Sequence, residues 1–237
     1  MSRWEPLLEV QEHDTTADQL AHRRRTLPAR AELDAAMADL TALEGTVAEV
    51  DAERKELARA QQRFEDEIAS LRAKAEQHDK TLYSGSIGNP RELQALQDEI
   101  AALQRRITHL EDQEIEVMEQ LEPVEARLAA FGRQRAELDD RAAGLRAQIA
   151  EAEVEIDAEL ERVRSERGTA AATVEPDLLS EYEQLRPRTG GIGIARLVNG
   201  HCGGCHLALS AVEVDRIKHL PEDEVVHCEE CGRLLAR

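Results

Sequence analysis

Apolar residues recur every seventh position along most of this chain, in two interleaved series set three residues apart. In a first arm the series run Leu33, Leu40, Val47, Arg54, Gln61, Ile68, Ala75, Leu82 and Ala36, Leu43, Val50, Leu57, Phe64, Leu71, His78. Only Arg54, Gln61 and His78 interrupt the apolar pattern. A second arm continues it from Leu93 through Ile107, Leu121 and Ile149 to Val163, and from Leu96 through Leu110, Val124 and Leu138 to Ala152. Its interruptions are Glu114, Arg135 and Glu159, and no insertion breaks the register. A sustained 3.5-residue repeat predicts helices supercoiled left-handedly against a partner helix.

The partner is expected within the same chain. Ser84-Gly85-Ser86-Ile87-Gly88-Asn89-Pro90 separates the arms and is a poor helix. Asn89 suits an N-cap, with Pro90 at the first helical position and Glu92 at the third. The chain therefore reverses into an antiparallel hairpin over residues 1–167, with its tip at 83–90. Pairing Leu82 with Leu93 sets Gln61 opposite Glu114, one polar layer facing another, while Arg54 and Arg135 find no such match. At 1.5 Å per residue the arms would span about 80 Å and about 115 Å, and residues 4–27 make up the difference by extending the first arm past a kink near Pro28. Pro123 lies off the seam and is expected to bend the second arm without stopping it.

Periodicity stops after Arg167. Residues 168–189 read as a joint and a short helix, Asp177–Arg186, with Leu178, Leu179, Tyr182 and Leu185 on one face. Residues 190–237 form the last segment, with a strand expected in Gly190–Val198, a short helix at 211–219 and further strands at Val225–His227 and Arg233–Leu235. The predicted class is mainly α, a long antiparallel coiled-coil hairpin followed by a small C-terminal zinc ribbon with short β-strands.

That last segment holds every cysteine of the chain, as Cys202-Gly-Gly-Cys205 and Cys228-Glu-Glu-Cys231. Two C-x-x-C pairs at this separation form a tetrahedral four-thiolate site, and the expected metal is one structural Zn2+, with no position open to water or substrate. Mononuclear iron uses the same ligands. Two disulfides would need an oxidising compartment, yet residues 1–14 hold no apolar stretch of signal-peptide type. A thioredoxin-type motif would need a βαβ surround that the pattern does not supply. So small a core needs its metal to fold. His201, His206 and His227 flank the pairs and are expected to pack beside the thiolates or hydrogen-bond to them.

Composition narrows the function. Aromatics make up 2% and charged residues 33%, normal for a long coiled coil and too lean for a globular core of this size. Of the net charge of −19, all but about −3 precedes Pro176. An acidic hairpin repels phosphates over most of its surface. No P-loop, nucleophile–base set or open metal site is found, so an enzyme is not expected, and no apolar run is long enough to span a membrane.

The turn motif Leu82–Leu93, the run Tyr182-Glu183-Gln184-Leu185-Arg186 and the two knuckles Asn199–His206 and Cys228–Arg233 occur together in this order. In these the chain resembles bacterial proteins that pair an N-terminal coiled-coil hairpin with a C-terminal four-cysteine zinc ribbon. The resemblance implies a cytoplasmic, non-enzymatic adaptor and Cys202, Cys205, Cys228 and Cys231 as metal ligands. Protein partners are expected through the hairpin or ribbon, with Tyr83 and Ile87 as a docking knob at the tip. The alternative is RNA or DNA binding through the ribbon, using Arg186, Arg188, Arg196, Lys218, Arg233 and Arg237. The Arg23-Arg24-Arg25 run reads as solvated surface, and Trp4 as packing at the base of the hairpin.

Overall fold

The computed structural model describes residues 3–221 and 224–237. Helices α1 (Glu5–Arg25), α2 (Pro28–Tyr83) and α3 (Pro90–Ala171) carry most of the chain, followed by α4 (Pro176–Leu185), a 3-10 turn (Arg186–Thr189), β1 (Ile194–Val198), β2 (His201–Cys202), α5 (Ala211–His219) and β3 (Leu234–Ala236). Two compact units result, residues 33–144 and residues 1–32 with 145–237.

Residues 33–144 form an antiparallel hairpin. Every predicted seam position in this unit is at least half-buried except Arg135, so heptad spacing decided which helix face turns inward. Ile68, Ile107 and Leu110 form a closed cluster flanked by Phe64 and Leu71. Ion pairs Lys74–Glu99, Arg106–Glu67, Arg127–Glu53 and Arg135–Glu44 cross from one helix to the other outside the seam. Each is exposed and screened by solvent, so they set register more than stability. Gln61 does not bond across the seam; its amide donates to Glu65 on its own helix. Arg54 likewise turns to Asp51. Pro123 lies inside α3, exposed, and the helix continues through it.

At the turn, Asn89 Oδ1 accepts the amide of Arg91 and Gly85 takes φ +70°, a conformation open to glycine at little cost. Ser84 Oγ accepts the Ser86 amide.

In the second unit, α1 ends at Arg25 and Pro28 opens α2. Leu20 of α1 packs against Ile156, Leu160 and Val163 of α3. Here the heptad reading needs correction, since Leu160 rather than Glu159 takes the buried place. A second correction concerns the joint. Helix α3 runs through Gly168 to Ala171, because Ala170 and Val174 are drawn into a core with Trp4, Leu7, Leu8, Val10, Leu178 and Tyr182. Apolar burial here outweighs the roughly 1 kcal/mol cost of a helical glycine. Ile194, Leu234 and Ala236 complete that core, so the sheet packs directly on α1. Arg24, read as solvated surface, pairs with Glu153 and Asp157.

The sheet has the order β2-β1-β3, with β1–β2 antiparallel and β1–β3 parallel. Val198 pairs with His201 across Asn199-Gly200, whose φ values of +53° and +77° close a two-residue hairpin. Asn-Gly is the favoured pair for that turn. Val225–His227 is not a strand: His227 makes a single bridge to Leu234, and Val226 accepts the Leu235 amide.

Candidate metal centre

The two cysteine pairs sit on knuckles with the same backbone pattern. His206 N–H donates to the Cys202 carbonyl and Gly232 N–H to the Cys228 carbonyl, each at 2.8 Å. Cys202 N–H donates to Leu207 O, and Cys228 N–H to Arg233 O. Both loops end in a left-handed residue, Gly232 at φ +74° and His206 at φ +65°. Glycine fits that conformation and histidine is strained in it.

All four sulfurs lie within 4.8 Å of one another. Cys202 and Cys231 sulfurs are 3.9 Å apart, and Cys205 and Cys228 sulfurs 3.8 Å. A tetrahedron with Zn–S bonds of about 2.3 Å has edges of about 3.8 Å, so the site can hold one zinc ion. These separations are far beyond the roughly 2.05 Å of a disulfide, and all four cysteines are free. Gly204 N–H points at Cys202 Sγ at 3.4 Å, a donor that stabilises thiolate charge. Burial foremost pushes the Cys228 thiol up to about 12. At Cys231 burial acts in the same direction, but hydrogen bonds from the Arg233 backbone and side chain outweigh it and bring the thiol to about 7.

The first knuckle's glycines serve close approach rather than special dihedrals. A Cβ on Gly203 would lie 2.9 Å from the Arg196 carbonyl oxygen, which also accepts the Gly203 amide at 2.8 Å. A Cβ on Gly204 would meet the Arg233 side chain at 2.7 Å. Neither the backbone nor Arg233, held by the Ile192 and Thr189 carbonyls, can yield freely. Gly203→Ala and Gly204→Ala are therefore each expected to weaken zinc retention against a chelator by about tenfold or more, since relief of such overpacking costs about 1–3 kcal/mol. A competition titration with a chromogenic chelator measures both.

Two of the three flanking histidines bond away from the sulfurs. His201 Nδ1 contacts Asn199 O at 3.0 Å, and His227 Nε2 contacts Glu181 at 2.8 Å. Most of the cationic candidates are also engaged. Arg186 pairs with Asp14 and Asp18, and Arg196 holds Glu5 through both nitrogens. Arg233 donates to the carbonyls of Ile192 and Thr189. Arg237 forks over the carbonyls of Ile217, Leu220 and Glu224, closing the C-terminus of α5. Arg188 and Lys218 are exposed, with no ion pair among the described residues.

What holds the ribbon to the helices was not read from the sequence. Gln11 is buried; its Oε1 accepts the Gly193 amide at 2.7 Å and its Nε2 donates to Gly191 O at 3.0 Å. Asp14 accepts the Tyr182 hydroxyl at 2.8 Å and Arg167 Nε at 3.0 Å. Burial and then Asp14 push the Tyr182 hydroxyl far above its ordinary range, so it stays protonated and donates. On α5, Ser210 Oγ accepts the Glu213 amide as an N-cap legible in Ser-x-x-Glu, while both Glu213 carboxylate oxygens turn to Arg216.

Tip residues differ in exposure, Tyr83 being 84% exposed and Ile87 half-buried. Among the described residues no helix is long and apolar enough to cross a membrane.

Comparison with known proteins matches the same two modules. Residues 10–190 match the CT398-like coiled-coil hairpin domain, and residues 201–235 the C4-type zinc ribbon domain. An uncharacterized protein of Mycobacterium tuberculosis is 34% identical over 98% of this chain and 94% of its own length. A Mycobacterium leprae relative is 28% identical over 93% of the chain and 94% of its own length. A solved structure from Mycobacterium smegmatis superposes with a TM-score of 0.90 at 27% identity, covering 100% of both chains. That of CT398 from Chlamydia trachomatis gives 0.72 at 23% identity over 99% of this chain and 97% of its own, a likeness of fold. Hairpin and ribbon, matched in sequence and in fold, make this chain a member of the CT398-like coiled-coil hairpin family, with a C4-type zinc ribbon that can hold one zinc ion.

Proposed function

We propose that this protein is a non-enzymatic adaptor that binds protein partners, using the hairpin tip as one docking point and a metal-braced ribbon as the other. One observation carries the reading: Tyr83 is 84% exposed at a turn that does not need it. Ser84, Gly85, Asn89 and Pro90 close the reversal by local hydrogen bonds and dihedrals, leaving Tyr83 exposed with the half-buried Ile87 in the same turn. Exposed apolar groups grouped in this way mark interaction sites. Four thiolates around one metal would leave no position for substrate, which argues against catalysis. Free thiols suit a reducing compartment, and the cytoplasm is the compartment we assign.

Nucleic-acid binding through the ribbon has less support. Four of its six candidate cations are committed to carboxylates or carbonyls of the same unit, leaving Arg188 and Lys218. Phosphate-driven binding draws on many simultaneous contacts, commonly about 6–10.

Tyr83→Ala with Ile87→Ala is expected to reduce capture of a co-purifying partner by about thirtyfold, the size of an aromatic hot spot of about 2 kcal/mol. Helicity by circular dichroism should not change. Undiminished capture would make the tip a turn and nothing more.

A further inference from the structure

The four sulfurs of the metal centre differ in access and in neighbour. Cys202 and Cys228, the first cysteine of each knuckle, are 0% and 1% exposed, while Cys205 and Cys231 are half-buried. Each half-buried sulfur lies against a buried one of the opposite knuckle, Cys231 at 3.9 Å from Cys202 and Cys205 at 3.8 Å from Cys228. An oxidant that reaches a half-buried thiolate therefore finds a second thiolate behind it, on the other knuckle. The two half-buried cysteines are not equivalent. The Arg233 side chain hydrogen-bonds to Cys231, and its Nε is anchored on Ile192 O at 2.8 Å. A guanidinium fixed at that sulfur stabilises the anion that leaves when an oxidant is split there.

We propose that these cysteines are a modification site for hydroperoxides, entered at Cys231 and resolved by Cys202, where oxidation exchanges the metal for disulfides across the knuckles. With hydrogen peroxide, the Cys231 thiolate attacks one oxygen, the O–O bond breaks and hydroxide leaves, giving a sulfenic acid. The Cys202 thiolate then attacks that sulfur, and the sulfenic oxygen departs as a second hydroxide. Two electrons pass from the sulfur pair to the peroxide, and two protons from solvent convert both hydroxides to water. This bond withdraws two of the four donors, so the ribbon releases its zinc. Cys205 and Cys228 then pair in the same way with a second peroxide.

Closing the two pairs from 3.9 and 3.8 Å to bonds of about 2.05 Å needs only local movement. Bonds across the knuckles close loops of about 30 and about 24 residues, against about four within a knuckle, and so remove more freedom from the unfolded chain. Each knuckle keeps its own backbone closure, His206 N–H on Cys202 O and Gly232 N–H on Cys228 O. Cys202 and Cys228 also stay in the core with Ala195, Ile217, Val226 and Leu235. The oxidised, zinc-free ribbon therefore remains folded, where a reduced, zinc-free one does not. In a reducing compartment the bonds are transient, since a dithiol returns them to thiolates. This chemistry needs the zinc site but no docking partner, so capture through the tip stands or falls separately.

The test uses the full zinc-loaded chain, hydrogen peroxide, a chromogenic zinc indicator and disulfide mapping by mass spectrometry. One equivalent of peroxide should release most of the zinc and yield the bond Cys202–Cys231; a second should add Cys205–Cys228. Amides of Ile194–Val198 and Leu234–Ala236 should exchange at least about tenfold more slowly in the oxidised, zinc-free protein than in reduced protein stripped by a chelator. Dithiothreitol with added zinc should restore the starting state. Bonds within a knuckle or between chains, or a first bond between Cys205 and Cys228, would overturn the assignment. So would cysteines that stay reduced, with zinc retained, in excess peroxide, and so would ribbon amides that exchange as fast after oxidation as after chelation.

Discussion

Cys228→Ser is expected to release the metal and unfold the ribbon while residues 33–144 stay helical. A serine hydroxyl does not ionise near neutral pH and is a poor replacement for a thiolate, and structural zinc contributes about 10–16 kcal/mol to folding in small metal-dependent modules. Apart from Ile194, Leu234 and Ala236, which pack on the helices, the ribbon has a small core of its own. Its inner core consists of Ala195, Ile217, Val226 and Leu235 together with Cys202 and Cys228 themselves, both almost fully buried. The ligands are thus part of the core they brace. Metal analysis should fall from one zinc per chain to near none. Hydrogen exchange should show amides of Ile194–Val198, Ala211–His219 and Leu234–Ala236 losing protection together. The hairpin unit keeps its own seam around Ile68, Ile107 and Leu110 and should exchange as before. Acidification should act in the same direction, since zinc takes thiolates and protons compete for them as pH falls. Retained ribbon protection in the metal-free variant would contradict the account.

How far the sequence shows this protein depends on whether the chemistry is local or distant. The hairpin was legible because a heptad repeat is a local code: Leu40, Leu43, Val50 and Ile68 are buried where the repeat puts them. The sulfur cluster was legible because paired Cys-x-x-Cys spacing permits few other geometries. Signals of intermediate range were present but unused, Asn199-Gly200 for the hairpin turn and Ser210-x-x-Glu213 for the start of α5. The end of α3 was not legible at all, because Gly168 and Thr169 speak against helix and only the distant Trp4, Leu7 and Leu8 make it worth extending. Arg186 shows the same limit from the functional side. As a sequence it is a free cation near a zinc ribbon; in the fold it is bound by Asp14 and Asp18. Partners separated by more than 160 positions leave no periodicity to read.

Asp14→Ala should be the most destabilising of the polar substitutions where α1 meets α3 and α4. Asp14 keeps 13% of its side chain exposed and lies between Arg167 at 28% and Arg186 at 24%. It also accepts a hydrogen bond from the hydroxyl of Tyr182, which is fully buried. Removing the carboxylate leaves two guanidinium groups near each other, one of their counter-charges gone and a buried hydroxyl without its acceptor. Loss of one member of such a partly buried charge group costs about 3–5 kcal/mol. Tyr182→Phe removes only the hydroxyl's bond and should cost about 1 kcal/mol, with Asp14→Asn between the two because it keeps an acceptor and loses the charge. Urea unfolding followed by exchange at α1 and α4 measures the series. That order identifies Asp14 as the joint of four elements, α1, α3, α4 and the turn after it, and explains why Tyr182 and Arg186 stand four residues apart in the run that precedes the ribbon. Equal costs for Asp14→Ala and Tyr182→Phe would mean that the arginines find water or other carboxylates, Glu183 and Asp18 among them, and that burial of Tyr182 in the core around Leu7 holds the joint without the charge.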